Sequence, residues 1–157
     1  MGVMDKLKKN SKLKHTSILS ESKFFQERDQ VVTDVPMMNV AMSARLDGGM
    51  QAGTLVLAGP SKHFKSSFAL VIAAAFQKKY KDGVVLFYDS EFGTPETYFK
   101  NFDVDVERVL HVPISNIEEL KFDLMNQLEN LDATDHVLVL IDSIGNLPSK
   151  KEVEDAL

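Results

Sequence analysis

From Thr54 onward, short apolar runs alternate with segments of helical period. Thr54 to Ala58 reads as a short buried strand, followed by the polar loop Gly59 to Phe64. Lys65 to Tyr80 repeats apolar residues on one helical face through Phe68, Val71, Ile72, Ala75 and Phe76. Asp82-Gly83 stops this helix. Val84 to Tyr88 is a second apolar strand, closed by Asp89-Ser90-Glu91. Thr94-Pro95 supplies an N-cap and a first-turn proline for a short helix through Tyr98 and Phe99. Val109 to Val112 is a third strand, ended by Pro113. Ser115 and Glu118 read as a capping box ahead of a helix that aligns Ile117, Leu120, Leu124, Leu128 and Leu131. Val137 to Ile141 is a fourth strand running into Asp142.

Strands alternating with helices predict an α/β fold, with a parallel sheet flanked by helices. Continuously apolar strands such as Val137 to Ile141 are expected to be covered on both faces. Upstream of Thr54 the pattern is weaker. Residues 1–16 are polar and basic, either a solvated, frayed terminus or an arm that meets a phosphate backbone or a partner. Ser17 to Glu27 suits a short helix carrying Ile18, Leu19, Phe24 and Phe25. Arg28 to Pro36 is a connector with an extended piece at Val31-Val32. Met37 to Met42 is a strand or a turn of helix, and Asp47-Gly48-Gly49 marks a turn. The sequence carries no internal repeat and no low-complexity segment.

The chain's 157 residues make about one domain. Its 44% apolar and 26% charged residues exclude a disordered chain or a collagen. Without cysteine it has no disulfide, thiolate metal site or cysteine nucleophile. No apolar run approaches the ~20 residues of a membrane span, and no apolar stretch follows the basic N-terminus as in a secretory signal. A cytoplasmic protein is expected. Five lysines (Lys6, Lys8, Lys9, Lys12, Lys14) against Asp5 give residues 1–15 a balance of +4, so the other 142 residues carry −9 of the overall −5. Nucleic acid, if bound, is met locally or through parts outside this sequence, and not along a wholly basic surface.

The loop Gly59-Pro60-Ser61-Lys62-His63-Phe64-Lys65-Ser66 follows a strand and opens a helix. A phosphate-binding loop needs that setting, because a helix N-terminus presents free N–H groups and partial positive charge. The spacing matches G-x-x-x-x-G-K-[ST], with Lys65 reaching β- and γ-phosphates and the Ser66 hydroxyl on Mg²⁺. Phe64 replaces the second glycine. Either the loop takes backbone angles open to any residue there, or the match is fortuitous. Asp142, ending the fourth strand, stands where phosphate-loop proteins keep a Mg²⁺-linked carboxylate. Glu91 lies just past the second strand, and ligands bind beyond the carboxyl ends of parallel strands. It is the candidate to orient and deprotonate an attacking water. Asp89 competes for that role, or caps and supports.

These stretches, with Phe87-Tyr88-Asp89-Ser90-Glu91, Val35 to Asn39, Gly48-Gly49-Met50 and Ile141-Asp142-Ser143, resemble the ATPase core of RecA-like recombinases. The likeness is strongest to the UvsX-type recombinases of T-even-like phages, whose loop also carries Phe at the position of Phe64. It runs from about residue 20 to the last residue. The resemblance implies a RecA-like phosphate-loop ATPase core that binds ATP and Mg²⁺, forms filaments on single-stranded DNA and serves strand exchange in recombination and repair. It implies catalytic roles for Glu91 and Lys65. Gly59, Pro60, Ser61, Lys62, His63, Phe64, Lys65, Ser66, Ser67 and Tyr98 become the nucleotide-binding set, with Tyr98 matching a tyrosine that stacks on adenine. Ser66 and Asp142 become the metal-linked pair. Pro95 falls where bacterial relatives carry a base-reading aspartate. The stretch before Met37 resembles the segment that joins neighbouring subunits, which makes Phe24 and Phe25 candidate interface residues.

The implied organisation is a basic tail, helix and linker for oligomerisation over residues 1–36, and a partial ATPase core over 37–157. Family members continue for roughly another domain, with the DNA-contacting loops, a γ-phosphate-sensing glutamine and a further sheet strand. The expected partners are single-stranded DNA, other copies in a filament and phage replication or recombination proteins, in the host cytoplasm and without a membrane. On this reading the chain is the N-terminal piece of a recombinase, hydrolysing ATP when completed. The phosphate-loop strand then lacks a hydrogen-bonded neighbour, at about 1–3 kcal/mol per unpaired buried group. The alternatives are a non-catalytic module that binds nucleotide and docks on a filament, and another phosphate-loop ATPase such as a helicase core.

Overall fold

Val84 to Asp89 is apolar at nearly every position, and it becomes the centre of the sheet. A computed structural model describes residues 2–22, 29–145 and 147–156. Two short strands, β1 (Gln30–Val31) and β2 (Met50–Gln51), pair antiparallel. The main sheet holds β3 (Val84–Asp89), β4 (Val109–Pro113) and β5 (Val137–Asp142) in the order β4-β3-β5, all parallel. The helices are α1 (Val3–Asn10), α2 (Pro36–Ser43), α3 (Lys65–Lys79), α4 (Glu96–Asn101), α5 (Ile117–Glu129) and α6 (Lys150–Asp155). Phe24 and Phe25 lie outside the described residues.

The two faces of β3 sort the core. Val85 and Phe87 face Leu70, Ala73 and Phe76 of α3 and Phe99 of α4. Leu86 and Tyr88 face Leu120 of α5 and Ile114. On that second face the Tyr88 hydroxyl donates to Asp123 at 2.6 Å. Burial, and then this bond, raise the phenol well above its usual range. Asp89, ending β3, shares the face of Phe87 by the two-residue period of a strand.

Thr54 to Ala58, expected as a buried strand, forms no strand. Val56 is 77% exposed. An extended segment gains its hydrogen bonds only from a neighbour, and the described residues place no ladder partner beside residues 54–58. The main sheet ends at β5, whose residues are only half-buried, apart from Leu140. Coverage on both faces therefore holds for β3 and not for β5.

Several local expectations shift. The helix box begins one residue later: Asn116 accepts from the Glu119 N–H at 2.9 Å, and Glu119 accepts from the Ser115 N–H at 2.8 Å. That second bond lowers the Glu119 carboxyl below its usual range. Pro95, not Thr94, is the N-cap of α4. Leu70, Ile72, Ala73, Phe76 and Gln77 are the buried residues of α3, while Phe68 is exposed. Apolar residues surround this helix, so periodicity alone does not single out its core face. Leu128 and Leu131 are likewise exposed. Residues 3–10 form the wholly exposed helix α1, where a frayed tail was one expectation. Leu19–Glu21 is a single 3₁₀ turn, and Met37 to Met42 lies within α2. Gly49 is forced by a close approach, since a Cβ there would lie 2.0 Å from the Val31 carbonyl oxygen.

Arg108 closes the far end of α3. Its Nη1 donates to the carbonyls of Gln77 (3.4 Å), Tyr80 (3.1 Å), Lys81 (3.2 Å) and Gly83 (3.3 Å). The guanidinium thereby satisfies C-terminal carbonyls that a helix leaves unpaired and complements the helix dipole. Arg108→Ala is expected to cost about 2 kcal/mol, since charged hydrogen bonds are worth about 1.5–3 kcal/mol and the site is only part-buried. For a chain of this size that lowers the thermal midpoint by about 4–8 °C, which calorimetry measures directly.

Candidate functional site

The loop between residues 59 and 64 is exposed and leads straight into α3. Lys62 and Phe64 both adopt left-handed backbone, with φ of 64° and 60°. Left-handed residues recur in the nests of successive backbone N–H groups that bind anions. The Phe64 position therefore keeps the conformation a glycine would favour, although the sequence reading allowed angles open to any residue. Its ring is 71% exposed and adds little packing. Phe64 is also the N-cap of α3 and contributes no side-chain cap, so first-turn N–H groups stay available to an anion. Phe64→Gly is expected to stabilise the chain by about 0.5–1 kcal/mol. The left-handed penalty of about 1–2 kcal/mol is relieved and partly offset by glycine's unfolded-state entropy. Phe64→Val, β-branched at a positive φ, is expected to destabilise; urea denaturation of both variants compares them.

Lys65 folds its ammonium back into the bend, donating to the carbonyls of Gly59 (3.0 Å) and Pro60 (2.8 Å). His63 Nδ1 lies 2.9 Å from the Ser61 carbonyl oxygen. Ser66 Oγ donates to Asp142 Oδ2 at 2.6 Å, which ties the loop to the end of β5. Next along the chain, Ser143 Oγ donates to Glu91 Oε1 at 2.7 Å. Ser143 and Ser90 also exchange two bonds: the Ser143 N–H donates to Ser90 Oγ (3.0 Å), and Ser90 Oγ donates to the Ser143 carbonyl (2.7 Å). The Asp142–Ser143 peptide is cis. Two side-chain hydrogen bonds on adjacent residues, Ser66 to Asp142 and Ser143 to Glu91, thus tie the start of α3 and the turn after β3 to the end of β5. Ser66, Asp142 and Glu91 are thereby brought together at the carboxyl ends of β3 and β5, with Lys65 next to Ser66 at the start of α3.

Ser67 and Tyr98 share a hydrogen bond between their hydroxyls, and the Tyr98 ring meets Phe102 edge-on at 5.2 Å. Tyr98 therefore sits beside the start of α3, held from two sides. Asp89 is a buried turn-former, accepting the Glu91 N–H at 3.0 Å and the Phe92 N–H at 2.7 Å. Ser90, Ser143 and His111 took no role in the sequence reading. Ser90 and Ser143 stood inside motifs named above, and His111 is a polar residue in an apolar strand, but neither signal gives the partner that the side chain bonds.

The donor chemistry fits Mg²⁺ with a nucleotide. Ser66 and Asp142 offer hard oxygen atoms side by side, and no group of three or more His, Cys, Asp or Glu among the described residues could hold a metal by itself. Magnesium characteristically takes one or two protein oxygens and completes its shell with phosphates and water.

Residues 7–157 match the RecA N-terminal domain. The chain belongs to the RecA N-terminal domain family. It is 51% identical over 152 residues to a "Recombination and repair protein" of Enterobacteria phage T4, covering 97% of this chain and 39% of that protein. Against "Protein RecA" of Nitratiruptor sp. it is 34% identical over 108 residues, 68% of this chain and 30% of the relative. "Protein RecA" of Leptospira meyeri is 32% identical over 130 residues, 78% of this chain and 32% of the relative. The chain thus spans less than half the length of these relatives. No helix among the described residues of this RecA-family chain is long and apolar enough to cross a membrane.

Proposed function

We propose that this chain is the nucleotide-binding part of a recombination and repair protein, which binds ATP with Mg²⁺ and hydrolyses it when assembled on single-stranded DNA. The observation that carries this reading is the pair of hydrogen bonds, Ser66 to Asp142 and Ser143 to Glu91, on two adjacent residues at the end of β5, with Lys65 directly before Ser66 in the chain. In this reading the N–H groups of residues 61–67 receive the phosphate chain, and Lys65 turns from the Gly59 and Pro60 carbonyls to the β- and γ-phosphates. Ser66 and Asp142 hold the metal, which when bound neutralises charge on the phosphate oxygens. Glu91, kept in place by Ser143, orients the attacking water and takes its proton. Tyr98 lies against the adenine. The name of the phage T4 relative, a recombination and repair protein, supports the biological setting. Single-stranded DNA, a filament of copies with residues 1–36 as joining segment, companion phage proteins and the host cytoplasm complete the proposal.

A second reading, a module that binds nucleotide and docks without turnover, is favoured by one observation: residues 54–58, directly before the loop, carry no strand. Phosphate release with and without single-stranded DNA separates the two. The hydrolase reading expects turnover that rises with DNA. ATP binding with no release under either condition overturns it and leaves the docking module.

A further inference from the structure

We propose that Asp89 is the positioning residue for Glu91, with His111 as its support; the catalytic part of this inference rests on the reading of Glu91 as the base. Asp89 is 4% exposed, and the hydrogen bonds assigned to it engage both carboxylate oxygens. Oδ1 accepts the Glu91 N–H (3.0 Å) and the Phe92 N–H (2.7 Å), and Oδ2 lies 3.2 Å from His111 Nε2. The His111 ring stacks on Phe87 at 5.4 Å between centroids, so the imidazole is itself fixed by the sheet.

The backbone explains why the turn needs that carboxylate. The Ser90 N–H is still held by the Asp142 carbonyl at 3.0 Å, and the Asp89 carbonyl accepts from the Ile114 N–H at 2.9 Å. Beyond Ser90 the chain leaves the sheet. The N–H groups of Glu91 and Phe92 then have Asp89 Oδ1 as their acceptor, while Phe92 sits in left-handed backbone with φ of 53°. A carboxylate accepting from two N–H groups makes stronger bonds than a neutral acceptor, and here those bonds hold a conformation a bulky residue resists. Glu91 therefore reaches Ser143 from a backbone that Asp89 fixes. Asp89 is not the base itself, because both its oxygens are engaged. His111 donates Nε2–H to Oδ2 and keeps the carboxylate turned toward the two N–H groups.

The test compares Asp89→Ala, Asp89→Asn and His111→Ala with the unaltered chain by amide hydrogen exchange, ATP affinity and turnover. In Asp89→Ala the Glu91 and Phe92 amides are expected to exchange roughly tenfold or more faster, as loss of one such bond implies. The amides of Val85 to Tyr88 should stay protected. Asp89→Asn, which retains one oxygen acceptor, should fall between, and His111→Ala should show a smaller change of the same kind. Mg·ATP affinity should stay within about twofold while turnover drops about 10- to 100-fold, the cost of misplacing a reacting group by about 1 Å. Unchanged exchange at Glu91 and Phe92 in Asp89→Ala would overturn the proposal. So would faster exchange along all of β3, which would make Asp89 a residue of the fold alone. Glu91→Gln serves as the separate control. If it turns over at the unaltered rate, the base reading fails and the catalytic consequence with it, while the exchange arm still decides who holds the turn.

Discussion

Replacing Lys65 with alanine is expected to weaken Mg·ATP binding by about two to three orders of magnitude. The ammonium already lies inside the bend, on the carbonyls of Gly59 and Pro60. Exchanging two neutral carbonyls for anionic phosphate oxygens pairs the ammonium with opposite charge, and hydrogen bonds to charged groups are worth about 1.5–3 kcal/mol each. Two of them give about 3–4 kcal/mol after the lost carbonyl contacts, and each 1.4 kcal/mol is a tenfold change in affinity. Titration calorimetry with Mg·ATP reads the loss. The thermal midpoint without nucleotide should barely move, because the carbonyls that lose Lys65 belong to exposed loop residues open to water.

Glu91→Gln is expected to lower ATP turnover by about 10²–10⁴-fold, the range a positioned general base supplies, while leaving Mg·ATP affinity unchanged. Glutamine keeps the size of the side chain and an oxygen that still accepts from Ser143 Oγ, so the turn and the crevice persist. Only the ability to take a proton is removed. Phosphate release under single-turnover conditions with saturating DNA measures the chemical step, and a fluorescent ATP analogue measures affinity in the same samples. A parallel fall in both quantities would place Glu91 in nucleotide binding and not in proton transfer.

The strands at the centre of the sheet were readable because their apolar runs are short and uninterrupted and end in polar residues. Val84 to Asp89 and Val137 to Asp142 each close on a carboxylate, Asp89 in the turn toward Glu91 and Asp142 beside Ser66. The loop's place was readable for a different reason: the polar run Gly59 to Phe64 ends where the helical pattern of α3 begins, so the start of the helix locates Lys65 and Ser66 even though residues 54–58, directly before the loop, form no strand. Thr54 to Ala58 misled because composition reports affinity for a buried place and not the presence of a neighbour. Its apolar residues read as a strand, yet no ladder partner lies beside it and Val56 is left exposed. The core face of α3 was read only in part: Ile72 and Phe76 are buried as expected, but Phe68 is exposed while the equally apolar Leu70 and Ala73 are buried, so packing decides. Side-chain bonds across long separations leave no local pattern at all. Arg108 on the end of α3, Ser143 on Glu91 and His111 on Asp89 join residues 22 to 52 positions apart, and no periodicity announces them.

The most direct test of the account is a Mg·ATP titration of the ¹⁵N-labelled chain followed by its amide resonances. Saturable shifts are predicted at Ser61 to Ser67, at Ser143 and at Glu91, with the Lys65→Ala chain unresponsive over the same range. A spectrum unmoved at those positions by millimolar Mg·ATP, or one whose shifts lie only on the α5 side of the sheet, would contradict it.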